Sequence, residues 1–290
     1  MTHSPGAKLR IALSERRALL VPGVMNALAA RIADDEGFEA LYLTGAGITN
    51  ATMGKPDVGL IDLTQICLQV SAVREVTELP LIVDADTGFG NAVNVYHTIR
   101  MLELAGANAV QIEDQSMPKR CGHFDGKSVI SANEMAQKVK AATDARRSED
   151  LLIVARTDVY AQEGLNAAIE RAELFIEAGA DVTFVEAPGR PEDFTEICTK
   201  LSVPQIANLV IGGKTPPMTL DQLAEAGLGM ALYANAALQG AMLGMQGALR
   251  RLKADGHLEE SSGVVVTFGE RQRLVGKPEM DALEQRYAFV

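Results

Sequence analysis

The chain has no tryptophan, 5 tyrosines and 8 phenylalanines in 290 residues. A core made from it is therefore aliphatic, packed by Leu, Ile, Val, Ala and Met. Cysteine is equally scarce: Cys67, Cys121 and Cys198 are odd in number and far apart, which speaks against a disulfide framework and against a thiolate metal cluster. Cys67 and Cys198 sit among helical apolar residues and read as small buried hydrophobes. The 4 histidines, His3, His97, His123 and His257, are scattered, so a histidine-based zinc hydrolase does not fit.

Positive charge is also short, with 27 Lys and Arg against 38 Asp and Glu, a net charge of -11. That balance opposes a phosphate polyanion, and no basic block exceeds two residues, so nucleic acid is not an expected partner. No apolar run approaches the roughly 18 residues of a membrane-spanning helix. The first residues lack the apolar core, roughly 7 to 15 residues long, of a signal peptide. A membrane partner is not expected, and the cytoplasm is the expected location.

What is present is a repeat. Eight short, nearly continuous apolar segments recur: Leu19 to Val21, Ala40 to Thr44, Leu81 to Asp86, Ala109 to Glu113, Leu151 to Thr157, Val182 to Glu186, Gln205 to Asn208 and Met230 to Tyr233. Such runs suit parallel strands covered on both faces. Between them, Ala92 to Ala105, Ala132 to Arg147, Leu165 to Ala178 and Asn235 to Ala254 carry helical periodicity. Gly37, Gly106, Gly179 and Gly227 fall where helices should close before the next strand. Ser131 to Glu134 and Thr219 to Gln222 match capping boxes, and Pro191 fits a first helical turn. Eight strand-helix units predict a single α/β domain over residues 1–290, a TIM barrel. Residues 255–290 find no strand to join, are predicted to hold a short helix over 278–287, and are expected to pack outside the barrel.

Polar residues gather at the C-terminal ends of the predicted strands: Thr44-Gly45, Asp84 to Asp86, Glu113-Asp114, Arg156 to Asp158, Glu186 and Asn208. The other ends are apolar, as in Leu79-Pro80-Leu81 and Val203-Pro204. Barrel enzymes carry their active sites on the face with the charged ends. Asp84 and Asp86, two apart, point to one side of a strand end, and Glu113 arrives from the next strand. Oxygen donors without imidazole or thiolate suit Mg²⁺ or Mn²⁺. Thr44-Gly45-Ala46-Gly47, following a strand, is expected to bare backbone N–H groups toward a carboxylate or phosphate. Its similarity to a dinucleotide-binding fingerprint fails at Asn50, where glycine or alanine belongs. Arg156 has the fork geometry to bind a substrate carboxylate or to pair with Asp158.

One stretch, Glu113 to Lys127, packs acids, bases and Cys121 into a loop with Gly122 and Gly126. A thiol placed between cations and an imidazole is a candidate for proton transfer or nucleophilic attack. Together these parts describe a site for a small anionic hydroxy acid on a hard metal.

The most specific segments are Asp84-Ala85-Asp86-Thr87-Gly88-Phe89-Gly90-Asn91, Ile112-Glu113-Asp114-Gln115, Lys119-Arg120-Cys121-Gly122-His123, Ala155-Arg156-Thr157-Asp158 and Gly212-Gly213-Lys214-Thr215-Pro216. With them, nearly the whole chain resembles the isocitrate lyase and phosphoenolpyruvate mutase superfamily, most closely its 2-methylisocitrate lyase branch. The resemblance implies a barrel whose C-terminal helix is swapped between subunits, usually in homotetramers. It implies Mg²⁺ held by Asp86, with Asp84 and Glu113 reached largely through water. Thr44, Gly45 and Ala46 would cradle the oxo-acid carboxylate, with Asp57, Arg156, Glu186 and Asn208 near the substrate. Cys121 would be the general acid, positioned with the leaving carboxylate by Lys119, Gly122 and His123.

The implied reaction cleaves a 2-hydroxy di- or tricarboxylate to pyruvate or another 2-oxo acid plus a carboxylate such as succinate. Other branches with this cysteine motif cleave dimethylmalate or citramalate, hydrolyse oxaloacetate or rearrange a carboxyphosphono compound. A non-catalytic oxo-acid binding protein is the alternative of a different class. The chain departs from the branch at Ile211, where relatives commonly carry glutamate, and at Ala234-Asn235, where proline often follows the tyrosine. Both departures fall in the half of the site expected to choose the substrate.

Overall fold

A computed structural model describes residues 3–120, 122 and 126–289. All eight apolar runs are strands: β1 (Leu19–Val24), β2 (Leu41–Leu43), β3 (Leu81–Asp84), β4 (Ala109–Glu113), β5 (Leu152–Thr157), β6 (Val182–Val185), β7 (Ile206–Asn208) and β8 (Met230–Tyr233). Every pairing is parallel, in the order β6-β5-β4-β3-β2-β1-β8-β7. A bridge between Thr183 and Gln205 brings the two outer strands together, so the sheet curls into the expected barrel.

Side chains alternate across this wall with a period of two. Tyr42, Ile82, Leu152, Val154, Phe184 and Leu232 share one inner cluster. Their neighbours Leu41, Leu43, Leu81, Val83 and Ile153 pack outward against the helices. The helix α1 (Pro5–Ser14), not expected from the sequence, sends Leu9 and Leu13 into the inner cluster. Its end of the barrel is the one where strands begin: Gly6 lies against Asp150, and Gly229 against the Leu13 carbonyl, just ahead of β5 and β8. With α1 sealing that end, the opposite mouth is left for chemistry.

The outer helices are α2 (Ala27–Asp35), α3 (Gly45–Met53), α4 (Leu63–Arg74), α5 (Ala92–Ala105), α6 (Ala132–Ala145), α7 (Tyr160–Glu177), α8 (Pro191–Lys200), α9 (Leu220–Glu225) and α10 (Ala236–Asp255). Gly106 closes α5 at φ 110°, a left-handed conformation that a β-carbon resists. Thr219 and Gln222 form a reciprocal capping box, whereas Ser131 caps the Glu134 N–H without the return bond. Helix α7 starts five residues before the expected Leu165, because a turn joins it across Gly164 at φ 82°.

Beyond α10 lie α11 (Phe268–Leu274) and α12 (Lys277–Arg286), while Val264 to Val266 form no strand. Arg273 of α11 binds Asp35 of α2 through both guanidinium nitrogens at 2.6 Å. Among the described residues no helix is long and apolar enough to cross a membrane.

Candidate active site

The inward parity of each strand continues past the packed apolar layer, and there it turns polar. Tyr42 is followed by Thr44, Ile82 by Asp84, Gln111 by Glu113, Val154 by Arg156, Phe184 by Glu186 and Ile206 by Asn208. Thr44, Asp84, Glu113, Arg156 and Asn208 line one cavity of about 40 Å³, together with Ala46, Asp57, Lys119 and Gly122. That volume holds a few waters. Neutral side chains, Val210, Leu232, Ala234 and Asn235, also line it.

Two cations organise the acids. Lys119, 3% exposed, places its Nζ 2.6 Å from both Asp57 Oδ1 and Asp86 Oδ1. Burial alone would depress its pKa, but Asp86, Glu113, Asp84 and Asp57 outweigh that and hold it above the ordinary lysine value. Burial raises the Asp86 carboxyl to about 7, with Asp84 and Asp57 adding to the rise and Lys119 opposing it. Burial likewise lifts Glu113 well above the usual carboxylate range.

Arg156 is the second organiser. Its Nε and Nη2 donate to the two oxygens of Asp158 at 2.9 and 3.0 Å. Glu113 lies 3.4 Å away and Glu186 3.3 Å. The guanidinium also stacks over Phe184, 5.2 Å from the ring centre. Burial disfavours a charged Asp158, yet Arg156 and Lys127 overcome it and bring its pKa down to about 2. The two readings of Arg156, ion pair and cavity-lining cation, thus hold together.

Thr44, Gly45 and Ala46 open a helix. Thr44 caps α3, its Oγ1 accepting from the Gly47 N–H at 3.3 Å, so Gly45 and Ala46 form the first helical turn. The Gly45 N–H is engaged by Asp84 Oδ2 at 3.3 Å. A helix N-terminus therefore faces the cavity, with its positive dipole end toward the acids.

Asp84, Asp86 and Glu113 are brought to one place, but Lys119 supplies their counter-charge here. Among the described residues no three acids, thiols or imidazoles stand in ready ligand geometry. The donor chemistry still fits a hard divalent cation: the donors are all carboxylate oxygens, and Glu113 Oε1 is buried without a hydrogen-bond partner. Cys121 and His123 lie outside the described residues. Gly122 is buried, and a β-carbon there would stand 2.3 Å from Arg156 Nη2 and 2.7 Å from Glu186. Lys127 donates to the Gly122 carbonyl at 2.5 Å and to Asp158 Oδ1 at 2.7 Å.

Some residues escaped the sequence reading. Tyr42 donates to Gln111 at 2.9 Å, and Gln111 reaches Asp84 at 3.5 Å, a buried polar chain beneath the cavity. Their inward parity on β2 and β4 was the available signal. Asp114, set aside as strand-end polarity, accepts from Thr157 and from the Asp158 N–H at 2.7 and 2.9 Å.

An α/β barrel whose acidic and basic strand ends close on one small cavity is an enzyme architecture built for a small anion. Residues 9–253 match the family described as phosphoenolpyruvate phosphomutase, and the chain belongs to that family. It is 44% identical over 272 residues to 2-methylisocitrate lyase of Aeropyrum pernix, covering 94% of this chain and 87% of that one. A crystal structure of 2,3-dimethylmalate lyase, a member of the phosphoenolpyruvate mutase and isocitrate lyase superfamily, superposes with a TM-score of 0.92 at 30% identity. That match covers 99% of this chain and 97% of the other. Phosphonopyruvate hydrolase in complex with oxalate and Mg²⁺ gives a TM-score of 0.88 at 28% identity, covering 99% of this chain and 100% of that one. The superfamily membership expected from the motifs holds, and the chain is an enzyme of the carbon–carbon lyase class.

Proposed function

We propose that the protein is a Mg²⁺-dependent lyase that cleaves a 2-hydroxy di- or tricarboxylate, with 2-methylisocitrate the first candidate and pyruvate plus succinate the products. The observation that carries this reading is the meeting of Arg156, Lys119 and the acids of β3 and β4 at one cavity. The relative from Aeropyrum pernix supports the substrate, and the Mg²⁺ complex of phosphonopyruvate hydrolase supports the metal.

Asp86, with Asp84 and Glu113, would hold Mg²⁺, or Mn²⁺ in its place. Bound there, the metal supplies Lewis acidity toward the oxygens of the oxo-acid half. Arg156, fixed by Asp158 and 3.3 Å from Glu186, would meet a substrate carboxylate where it lines the cavity, and Ala46 in the first turn of α3 lines the cavity with it. Glu186 and Asn208, 3.4 Å apart, border the substrate on the other side. In the cleavage a carboxylate of the cavity would take the 2-hydroxyl proton, the O–H pair forms the ketone, and the C2–C3 bond gives its pair to C3. C3 then takes a proton. Cys121 is assigned as its donor by resemblance, with His123 and Lys119 as the neighbours that position it.

A second reading, cleavage of 2,3-dimethylmalate, is favoured by the apolar Val210, Leu232 and Ala234 in the cavity lining. Oxaloacetate hydrolysis and phosphonomutase chemistry are the further alternatives. Incubating the protein and Mg²⁺ with a panel of these acids, and identifying the products, separates them. An alkylmalate that yields pyruvate where 2-methylisocitrate yields none would displace the named substrate. An oxo-acid binding protein without activity would turn over none of the panel.

The assembly we infer is a cytoplasmic homotetramer with the C-terminal helix exchanged between subunits. Its support is an apolar recess between α2, α3 and α10, lined by Met25, Leu28, Ile32, Ala241 and Met245. Leu243 and Leu249 of α10 are also exposed, and a neighbouring subunit would cover them.

A further inference from the structure

Behind the cavity, one buried charge takes no part in the chemistry proposed above. Lys138 of α6 is 4% exposed, and among the described residues it makes no ion pair. Its Nζ donates to the Thr87 carbonyl at 3.1 Å. Burial lowers its pKa, while Glu134 and Asp114 oppose the change. An ammonium group withdrawn from water is costly unless hydrogen bonds or an opposite charge offset it, and natural proteins carry such costs mostly at functional sites.

The carbonyl it meets belongs to the turn that carries Asp86. Here β3 has ended at Asp84, and the chain reverses through Asp86 at φ 48°, Gly88 at φ 83° and Phe89 at φ 60°. Two of those left-handed residues have side chains, a conformation that persists only when surrounding contacts impose it. Inside, the Glu113 N–H donates to the Asp86 carbonyl at 2.9 Å, and the Gly88 N–H to that of Ala85 at 2.8 Å. Outside, two helices each supply one donor to successive carbonyls: Lys138 to Thr87, and Thr98 of α5 to Gly88 at 3.1 Å. Thr98 is 1% exposed.

We infer that Lys138, with Thr98, is a positioning residue that holds the Asp86 turn in its metal-binding conformation from the outer layer of the barrel. The inference rests on the reading of Asp86 as the metal ligand. Lys138 touches neither metal nor substrate, so its effect passes through the Thr87 carbonyl and the backbone of the turn. Outer-layer contacts of this kind govern how well a ligand is presented to its ion.

Calorimetric titration of the full-length protein with Mn²⁺ tests it, alongside the thermal midpoint of each variant and Asp86→Asn as the control. Lys138→Met is expected to weaken Mn²⁺ binding about tenfold or more, the scale of outer-layer substitutions at metal sites. Lys138→Arg keeps a cationic donor and restores most of the affinity. Thr98→Val, which removes the donor to the next carbonyl, weakens Mn²⁺ binding by a smaller factor. A folded Lys138→Met protein with wild-type Mn²⁺ affinity overturns the inference. If that variant does not fold, Thr98→Val decides, and unchanged affinity there overturns it equally. Wild-type protein that binds no Mn²⁺, or binds it as well after Asp86→Asn, removes the metal assignment itself, a failure distinct from that of Lys138.

Discussion

Arg156 and Asp158 form a two-point fork inside the barrel mouth, Nε to Oδ2 at 2.9 Å and Nη2 to Oδ1 at 3.0 Å, with Asp158 fully enclosed. The fork leaves Arg156 one nitrogen directed at Glu186, 3.3 Å away. Asp158 Oδ1 also accepts from Lys127, whose ammonium holds the Gly122 carbonyl. One carboxylate thus fixes both the cation that faces the cavity and the glycine that packs over it.

Replacing Asp158 by Asn removes the carboxylate that Arg156 and Lys127 share, and leaves Arg156 only its longer contacts with Glu113 and Glu186. Breaking a buried pair in this way costs about 3 to 5 kcal/mol, and denaturant unfolding at neutral pH measures it. The pH dependence has a definite sign. Asp158 titrates at about 2 in the folded protein, below its unfolded value of about 3.9. Its contribution is therefore complete above the unfolded pKa and is lost as pH falls through the folded one. Between pH 4 and pH 2 the wild type should lose a stability increment that the Asn variant lacks.

Gly122→Ala tests the packing over the site. The added carbon would meet Arg156 and Glu186 inside any normal contact distance. Neither can retreat without breaking the fork or the contact with Asn208. We expect kcat/KM to fall about 100-fold, the loss that a misplacement of about 1 Å produces, and the thermal midpoint to fall with it. Steady-state assays and calorimetry on the same preparation would check both halves of this expectation.

The cysteines should divide by environment. Burial pushes the Cys198 thiol up to about 12 and raises that of Cys67 as well. Thiolate is the reactive form, so iodoacetamide at pH 8 should leave Cys198 unmodified in the folded protein, as peptide mass mapping would show. Cys198→Ala should leave turnover intact. Cys121→Ser should lower it by about 100-fold or more, the scale of a lost general acid; equal effects of the two substitutions would remove Cys121 from the reaction.

Much of this architecture is legible in the residues because parallel strands buried on both faces need unbroken apolar runs, and all eight runs became strands. The site is legible for a related reason: at the strand ends, inward parity carries Asp84, Glu113, Arg156 and Asn208 into one space. Helix α1 has no counterpart in the eight expected strand-helix units, and of α2 to α4 only the end of α2, at Gly37, is marked in the residues. That Thr44-Gly45-Ala46 opens a helix follows from the Thr44 cap, whose side chain accepts from Gly47. Asp57 was reached through family resemblance alone, since its role depends on Lys119, distant in sequence. Lys138 had a signal that went unused, a lysine on the apolar stripe of Met135, Val139 and Ala142.

The central claim, a metal-assisted lyase acting on a 2-hydroxy carboxylate, is tested most directly by coupling pyruvate release to a lactate dehydrogenase assay. With 2-methylisocitrate and Mg²⁺, the wild-type protein should release pyruvate and succinate in equal amounts, and chelation of the metal should stop the reaction. No 2-oxo acid from either 2-methylisocitrate or 2,3-dimethylmalate, or release that persists undiminished under chelation, would contradict the account.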